Sequence, residues 1–325
     1  MTDVLILGGT GWLSGRIARA WVEAGASVTC LARGGRPAPE GAALVVGDRD
    51  SADAYDAVAA REWDEVVDIS SNPAHVAAAL EAVGARTAHW TYISSVSVYA
   101  RADVVGGDEQ VGTLEPTGPG EPSDYGRDKA AAEASVRAVA GDRAAIVRPG
   151  LIVGPGDPTD RFGYWVSRFA LAGDEPVLVP DASGASAQVI DVDDLAAFAV
   201  HIGRERWSGI VNAVGDVHPL ADVLGLARDA AGHSGDVVTA TAEQLAEHQV
   251  AQWAGERSLP LWLPADMPGF MTWRNDTYRA TGGTLRPLAE TVERTLADER
   301  ARGLDRERRA GLTRADELAI LGALA

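Results

Sequence analysis

The chain has 325 residues, a formal net charge of −18 and one cysteine, Cys30. The negative charge disfavours binding to nucleic acid and to anionic membrane surfaces, and a single cysteine excludes an internal disulfide and a cysteine cluster for zinc. The chain opens without a basic leader, and no apolar run approaches the ~18 residues of a membrane helix. We therefore expect a soluble, cytoplasmic protein that binds neither nucleic acid nor membranes.

Short apolar runs alternate with alanine-rich amphipathic segments over the first 200 residues. The sequence predicts helices over residues 15–24 and 74–83. The predicted strands are 4–7, 27–32, 43–46, 65–69, 90–94 and 144–148. Apolar strands separated by helices indicate a parallel sheet that is covered on both faces. The predicted fold class is α/β, a Rossmann-type doubly wound parallel sheet with a smaller mixed C-terminal substrate-binding region.

The composition changes at a turn-rich joint, residues 154–158 (GPGDP). We expect a dinucleotide-binding Rossmann domain over residues 1–155 and a substrate-binding region over 156–300. Within that region the chain is expected to return to the core sheet near residues 187–202. Residues 301–325 are expected to form a charged helical tail. The alternation of acids and arginines over 298–314 is typical of a solvated helix.

A glycine-rich turn, GGTGWLSG, occupies residues 8–15 between the first predicted strand and the first predicted helix. Glycines permit a tight turn and a close backbone approach, and the helix N-terminus then offers N–H groups to a pyrophosphate. The candidate cofactor-binding residues in this turn are Gly8, Thr10, Gly11, Trp12 and Leu13.

The ends of the second and third strands bear on the choice of cofactor. A site that selects NAD usually places an acid about 20 residues beyond the glycines, for the ribose 2′-hydroxyl, but this chain has Arg33 and Arg36 there. The arginines suit a 2′-phosphate, so NADP(H) is favoured and NAD(H) stays open. In an arginine-rich chain, the alternative is that one or both arginines are surface residues of a loop without a role in binding. Asp48 and Arg49 follow the third strand, where Asp48 either accepts a hydrogen bond from adenine or closes a turn.

The only lysine, Lys129, lies four residues after Tyr125, whereas the other 28 cationic side chains are arginine. This spacing places both side chains on one helical face, where an ammonium can favour a phenolate. The alternative is a chance pair on a helix surface. Residues 93–99 (ISSVSVY) end a predicted strand, where a serine can hydrogen-bond a substrate oxygen. The residues alone do not decide which of Ser94, Ser95 and Ser97 does so.

These motifs, with residues 148–150 (RPG), resemble the short-chain dehydrogenase/reductase superfamily. Residues 189–195 (VIDVDDL) resemble its extended branch, the NAD-dependent epimerases and dehydratases. The GGT opening, residues 32–34 (ARG) and residues 286–288 (RPL) are similar to an atypical, actinobacterial reductase-like subgroup. The resemblance covers residues 1–200 well and 201–295 loosely. It is specific for the superfamily and not for one reaction.

The resemblance implies a role for each matching residue. Ser95 would orient the substrate oxygen, and Tyr125 would exchange a proton with it. Lys129 would bind the nicotinamide ribose and lower the pKa of the tyrosine. Pro149 and the backbone as far as Ile152 would flank the nicotinamide.

Two positions depart from the family pattern. Ser14 replaces the third glycine of the turn, which normally allows close packing of the helix on the strand. Residues 70–73 (SSNP) replace the usual Ala-Gly after the fourth strand. Ser70 is the expected cofactor contact in this loop.

The substrate pocket is expected between the carboxyl edge of the sheet and the C-terminal region. The candidate substrate-binding residues are Ser97, Arg161, Trp165 and Arg168. Arginines can hold a phosphate, but surface arginines and core aromatics explain the same pattern.

Other residues give weaker signals. Trp253, Trp262 and Trp273 suit either stacking on a sugar or core packing. The six histidines lack metal-ligand spacing, so no metal site is predicted.

The favoured function is an NADPH-dependent reductase or dehydrogenase of a hydroxyl/carbonyl group on a sugar-like, cyclitol or secondary-metabolite substrate. A nucleotide-sugar epimerase or dehydratase with tightly bound NAD is the alternative within enzymes. A non-catalytic RNA-binding or scaffold relative is the alternative from another class, against which the charge and the intact Ser95, Tyr125 and Lys129 set argue. Dimers are common in the superfamily, so a homodimer is one open assembly state.

Overall fold

The computed structural model describes residues 1–118 and 120–324. Its centre is a seven-stranded sheet in the order β10-β6-β5-β4-β1-β2-β3, with every neighbouring pair parallel. Its strands are β1 (Asp3–Leu7), β2 (Ser27–Ala32), β3 (Ala43–Val46), β4 (Trp63–Asp68), β5 (Thr87–Ile93), β6 (Ala144–Pro149) and β10 (Gly209–Ala213). The predicted fold class and the six predicted strands are confirmed, and β10 joins them from beyond the joint.

The remaining strands form small sheets in the C-terminal half: β7 (Leu151–Val153), β8 (Val177–Pro180), β9 (Ser186–Asp191), β11 (Val217–Pro219), β12 (Val237–Ala240), β13 (Ala251–Trp253) and β14 (Ser258–Pro260). They pair as β11-β9-β7, β12-β8 and β13-β14. The helices are α1 (Trp12–Glu23), α2 (Asp56–Ala59), α3 (Pro73–Val83), α4 (Tyr125–Ala140), α5 (Arg161–Ala172), α6 (Val192–Glu205), α7 (Leu220–Ala231), α8 (Ala242–Glu247), α9 (Asp276–Ala280), α10 (Leu288–Arg302) and α11 (Arg314–Leu324).

The central sheet is covered by helices on both faces. Side chains alternate along a strand, so Val4 and Ile6 of β1 pack on one side with α1 and α6. Leu5 and Leu7 pack on the other side with α3 and α4. Burial on both faces explains why these strands read as continuous apolar runs. The carboxyl ends of the strands are thereby left as the open edge.

A third core holds the C-terminal region together. Phe162 and Phe169 of α5 pack there with residues from α7, α10 and β8. The strand β9 belongs to this region, whereas α6, which follows it directly, packs against α1 under the central sheet. The two halves of the protein therefore share a continuous backbone connection beside the open edge of the sheet.

The C-terminal segment differs from the solvated helix predicted over residues 298–314. The helix α10 ends at Arg302, residues 303–313 form turns and loops, and α11 starts at Arg314. Glu299 is buried and accepts hydrogen bonds from Arg302, Arg306 and Arg308. The prediction of a solvated helix is wrong because the acids and arginines pair with each other under tertiary cover.

Residues beyond 310 also belong to the core of the C-terminal region. Leu312, Ile320 and Leu321 pack into the same apolar cluster as α5. Glu317 is buried and accepts from the Leu178 N–H at 2.9 Å. This segment therefore covers the C-terminal region and does not extend into solvent.

In the described part of the chain, no helix combines the length and the apolar character needed to cross a bilayer.

Candidate active site

The glycine-rich turn leads from β1 into α1, and a serine hydroxyl closes it. Gly8 has a positive φ of 83°, a conformation that favours glycine. The Ser14 hydroxyl donates to the Gly8 carbonyl at 2.5 Å and accepts from the Gly11 N–H at 3.0 Å. The serine at the third glycine position therefore braces the turn. The first-turn N–H groups of α1 have no helical partners, which makes this helix start suitable for an anionic ligand.

The turn also lies directly on the second strand. A Cβ on Gly9 would lie 2.4 Å from the Cys30 sulfur, so only glycine permits this approach. Burial raises the pKa of the Cys30 thiol to about 11. Cys30 is accordingly a small apolar packing residue.

A cavity of about 820 Å³ extends from the glycine turn across the ends of β2 and β3. Gly8, Thr10 and Gly11 line it at one end, and Arg33 and Arg36 line it at the other. Both arginines are exposed, and neither forms an ion pair within residues 1–118 and 120–324. The glycine turn at one end can accept a pyrophosphate, and the two arginines without ion pairs at the other end can accept a further phosphate. This arrangement fits a dinucleotide.

Asp48, Arg49 and Ser70 line the same cavity, but Arg49 differs from its prediction as a cofactor-binding residue. Its guanidinium forms a bidentate pair with Asp68, with both distances 2.8 Å, and also donates to Tyr55 and to a backbone carbonyl. Four of its five N–H donors are thus used inside the protein. Arg49 shapes the wall of the cavity, because a guanidinium committed to a buried carboxylate has little left for a ligand.

The two loop residues keep simpler positions. The Asp48 carboxylate accepts from the Asp50 N–H at 3.2 Å, so it closes a turn and also faces the cavity. The Ser70 hydroxyl accepts from the Asn72 N–H at 3.1 Å, and the Ser70 N–H donates to Asp68. The structure therefore leaves both interpretations of Asp48 in place.

A second cavity, of about 420 Å³, begins where the first one ends, and Ile69 lines both. It brings Ser95, Ser97, Tyr125 and Lys129 into one cleft. The other predicted residues on its walls are Trp12, Leu13, Pro149, Ile152 and Arg161. Residues more than 100 positions apart in the chain thus meet at the carboxyl edge of the sheet, where ligands bind in folds of this class.

Backbone contacts set the distance between the serine and the tyrosine. Ser95 caps the short 3₁₀ turn that follows β5, and its hydroxyl accepts from the Ser97 N–H at 3.1 Å. Asp124 caps α4, so Tyr125 is the first residue of that helix. A Cβ on Gly126 would lie 2.3 Å from the Ser97 carbonyl oxygen. Glycine at 126 therefore allows the start of α4 to approach the serine turn.

Tyr125 keeps 53% of its surface accessible through the open cleft. Crowding by protein atoms raises the pKa of its phenol, whereas a hydrogen bond with Ser95 and the charge of Arg161 act in the opposite direction. The neighbours of the phenol thus partly offset the cost that desolvation imposes on its anion.

Lys129 is 2% exposed, and its ammonium is held by backbone. It donates to the carbonyls of Ile69 and Ser70 at 3.0 Å and of Ile93 at 2.7 Å. Burial lowers its pKa to about 7, while nearby carboxylates act in the other direction. These three hydrogen bonds tie the ends of β4 and β5 together at the floor of the cleft, and the expected ribose contact of Lys129 stays a prediction.

A buried ion pair lies beneath the serine turn. Glu133 of α4 and Arg148 of β6 form two hydrogen bonds, of 2.9 and 2.7 Å, and the Ser94 hydroxyl donates to the same carboxylate at 2.6 Å. No sequence signal predicted this pair, because residues 15 positions apart on a helix and a strand share no local pattern. The pair fastens α4 to the sheet below Ser95.

The three predicted substrate residues of α5 separate in the structure. Arg161 lines the cleft and lies over the Trp253 ring at 4.7 Å. Trp165 is buried and donates to the Pro260 carbonyl at 2.8 Å. Arg168 is buried against Glu317 at 3.3 Å. The predictions for Trp165 and Arg168 are wrong, since the fifth and eighth residues of this helix face the C-terminal core and only its first residue, Arg161, reaches the cleft.

The outer wall of the cleft comes from residues that were not predicted to lie there, apart from Trp253, for which stacking and core packing were both open. Thr159, Phe270 and Met271 line it together with Trp253. Trp253 meets Phe270 edge to face at 5.5 Å. Of the other two tryptophans, Trp262 and Trp273 are buried, so core packing is their main role. Of these wall residues, only Trp253 was a candidate on the sequence alone.

Within the described residues no group of three or more His, Cys, Asp or Glu side chains is arranged to hold a metal ion.

Comparison with known proteins places this geometry in a family. The model of the "NAD dependent epimerase/dehydratase family" matches residues 4–213. A curated relative, 2'-dehydrokanamycin reductase of Streptomyces kanamyceticus, is 29% identical over 297 residues, which cover 87% of this chain and 82% of that protein.

Solved structures share the fold. A putative epimerase from Burkholderia cenocepacia has a TM-score of 0.71 and 22% identity, with 92% of this chain and 98% of that chain covered. A UDP-glucuronic acid 4-epimerase from Bacillus cereus, in complex with NAD, has a TM-score of 0.68 and 14% identity, with 92% and 99% covered. With a glycine turn, an adjoining cleft and a family match across the whole central sheet, the chain belongs to the NAD-dependent epimerase/dehydratase family and is an NAD(P)-dependent enzyme of the short-chain dehydrogenase/reductase type.

Proposed function

We propose that this protein is an NADP(H)-dependent reductase or dehydrogenase of a hydroxyl/carbonyl group on a sugar-like, cyclitol or secondary-metabolite substrate. The observation that carries the proposal is the meeting of Ser95 and Tyr125 in one cleft that adjoins the dinucleotide cavity. The cofactor end and the proton-transfer end of the reaction then lie side by side.

The chemistry assigned to the chain is proton transfer and orientation at one oxygen. In the reducing direction the Tyr125 phenol donates its proton to the carbonyl oxygen, and in the oxidising direction its anion takes the proton back. The Ser95 hydroxyl donates a hydrogen bond to the same oxygen and orients it. A bound nicotinamide supplies or accepts the hydride at the carbon. Lys129 reaches a ribose hydroxyl only by exchanging one of its three carbonyl acceptors.

Tyr125→Phe tests the proton transfer. Removal of a positioned acid typically costs 10²–10⁴-fold in rate, so we expect turnover to fall by at least ~100-fold while cofactor affinity stays nearly constant. Because the relative named above is called a reductase, 2'-dehydrokanamycin with NADPH is the first substrate to assay, followed by a panel of keto-sugars and keto-cyclitols. Retention of most of the wild-type rate by Tyr125→Phe contradicts the proposal.

The preference for NADP(H) rests on Arg33 and Arg36, which suit a 2′-phosphate, and on the lack of a carboxylate at the end of β2. We expect Arg33→Ala and Arg36→Ala each to weaken NADPH binding about tenfold, the effect of losing a charge-assisted hydrogen bond. NADH binding should not change. Arg101→Ala is the matched control, because Arg101 is exposed and pairs only with its neighbour Asp103.

Two measurements separate a reductase from an epimerase: the affinities for NADPH and NADH by calorimetry, and the cofactor that the purified protein retains. Stoichiometric NAD(H) retained by the purified protein through gel filtration would instead support an epimerase or dehydratase with tightly held NAD. Equal affinity for NADPH and NADH would overturn the NADP(H) assignment without affecting the role of Tyr125.

A further inference from the structure

We propose that His75 and Asp50 form a positioning pair that joins the two loops beside the adenosine half of the cofactor and thereby sets the affinity for both NADPH and NADH. The inference rests on the dinucleotide cavity of the proposed function. It assigns a task to a histidine for which the sequence predicted no role. The two residues act by holding the loops, and the proton transfer at the cleft does not involve them.

The pair borders one half of the dinucleotide cavity. The glycine turn suits the pyrophosphate, the end of β2 lies on the adenosine side of such a site, and β3 is the neighbour of β2 in the sheet. Asp50 lies in the loop after β3, and His75 is the third residue of α3. Both residues line the dinucleotide cavity, and neither lines the cleft that contains Tyr125. The pair therefore lies on the adenosine side, away from the reacting carbon.

The imidazole of His75 contacts both loops. Its Nε2 lies 2.7 Å from a carboxylate oxygen of Asp50, and its Nδ1 lies 3.4 Å from the Ser70 hydroxyl, a longer contact. An ionised carboxylate only accepts hydrogen bonds, so Nε2 carries a proton and donates it to Asp50. The Ser70 hydroxyl accepts from the Asn72 N–H at 3.1 Å, which leaves its own hydrogen for Nδ1. The imidazole thus bridges the loop after β3 and the loop after β4.

The backbone of His75 is fastened to the same segment after β3. Its carbonyl accepts from the Arg49 guanidinium at 2.7 Å and from the Tyr55 hydroxyl at 3.1 Å. Arg49 in turn pairs with the buried carboxylate of Asp68 at the end of β4. These contacts do not depend on the side chain at position 75. A substitution of His75 therefore removes the bridge made by the imidazole and leaves the start of α3 in place.

The pair lies at the rim of the cavity, where it acts on binding more than on folding. The side chain of His75 is 21% exposed and that of Asp50 is 74% exposed. An exposed pair contributes little to the stability of a fold. At the rim it limits the movement of the loop after β3 relative to the loop after β4. Ordering a loop on binding costs conformational entropy, so a preformed bridge between the loops strengthens the binding of the cofactor.

The test is calorimetric titration of the full-length protein with NADPH, with NADH and with 2′-phospho-ADP-ribose, the part of NADP that lacks the nicotinamide. This readout needs no substrate. We expect His75→Leu and Asp50→Asn each to weaken the binding of all three ligands by about fivefold, the upper range for an exposed pair. The double variant should lose no more than either single variant, because both changes remove the same bridge. His75→Gln, whose side-chain amide can donate to Asp50 in place of Nε2, should restore most of the affinity.

Glu62→Gln is the matched control. Glu62 forms a pair of the same length, 2.7 Å, with Arg86, and its side chain is 75% exposed, but this pair lies before β4 and β5, at the amino ends of the strands. Its loss should leave all three affinities unchanged. Unchanged affinities in both His75→Leu and Asp50→Asn would overturn the inference, and so would a loss that spares NADH. The turnover of Tyr125→Phe, which tests the proposed function, does not depend on this pair, so the two failures are distinguishable.

Discussion

The buried pair of Glu133 and Arg148 gives the sharpest stability prediction, because both side chains are almost completely removed from water. Their side chains are 0% and 2% exposed, and two hydrogen bonds join them. Arg137, which also approaches Glu133, is 47% exposed and 3.4 Å away. We predict that Glu133→Gln destabilises the protein strongly, since the substitution leaves the charge of Arg148 buried without a counter-ion.

The magnitude follows from the cost of an unpaired buried charge. Removal of one partner of a buried pair costs about 3–5 kcal/mol, whereas replacing both with apolar groups of similar volume is often neutral. One Nη of Arg148 already lacks a hydrogen-bond partner among the described residues, so a relaxed alternative pairing is not at hand. We therefore expect Glu133→Gln to cost about 3–5 kcal/mol, and Glu133→Leu combined with Arg148→Met to cost less than either single change.

Urea unfolding followed by tryptophan fluorescence measures these changes, since the chain has nine tryptophans. The control is Asp103→Asn in the exposed pair with Arg101, which should change the free energy of unfolding by less than about 1 kcal/mol. A loss below 1 kcal/mol for Glu133→Gln would refute the reasoning. Additive effects in the double variant would do so as well, because they would show that the two charges do not depend on each other.

Three further changes test the site and its surroundings. Gly126→Ala puts a methyl group 2.3 Å from the Ser97 carbonyl oxygen, which displaces the start of α4 from the serine turn. Turnover should fall by about 100-fold with little change in cofactor affinity. Gly225→Ala, whose methyl group meets nothing within 4 Å, is the control. Ser14→Ala removes the brace of the glycine turn and should cost about 1 kcal/mol of stability and weaken NADPH binding in calorimetry. Burial raises the pKa of Asp157 to about 6 from 3.8. Its contribution to stability is therefore present below pH 4 and is lost as the pH rises through 6. In urea unfolding, the free energy of unfolding of Asp157→Asn should rise relative to that of the wild type by up to about 3 kcal/mol between pH 4 and pH 7. A constant difference between the two proteins across that range would contradict this.

Local sequence was sufficient for the architecture of the first half. Apolar runs bounded by turns predicted six of the seven strands of the central sheet to within three residues of their observed ends. The glycine turn was identified because strand, glycines and helix follow one another directly. Each of these features depends on residues that are neighbours in the chain.

The candidate site was predictable only in part. Ser95 and Tyr125 lie at a strand end and a helix start, and parallel topology brings such positions to one edge. For Arg161, Trp165 and Arg168 the sequence indicated a position just beyond the joint but not which of the three meets the cleft. Long side chains are decided by their tertiary neighbours, and the carbonyl that Arg168 bonds is 144 residues away.

The sequence by itself determined the fold class, the dinucleotide turn and the positions of the one tyrosine and one lysine that share a helical face. Only the tertiary structure decided what those side chains do. The ammonium of Lys129 points to carbonyls 36 to 60 residues away, and the acids and arginines near the C-terminus are buried against each other. Periodicity and turn chemistry act over a few residues, whereas burial of a charge is settled by whichever distant segment supplies its partner.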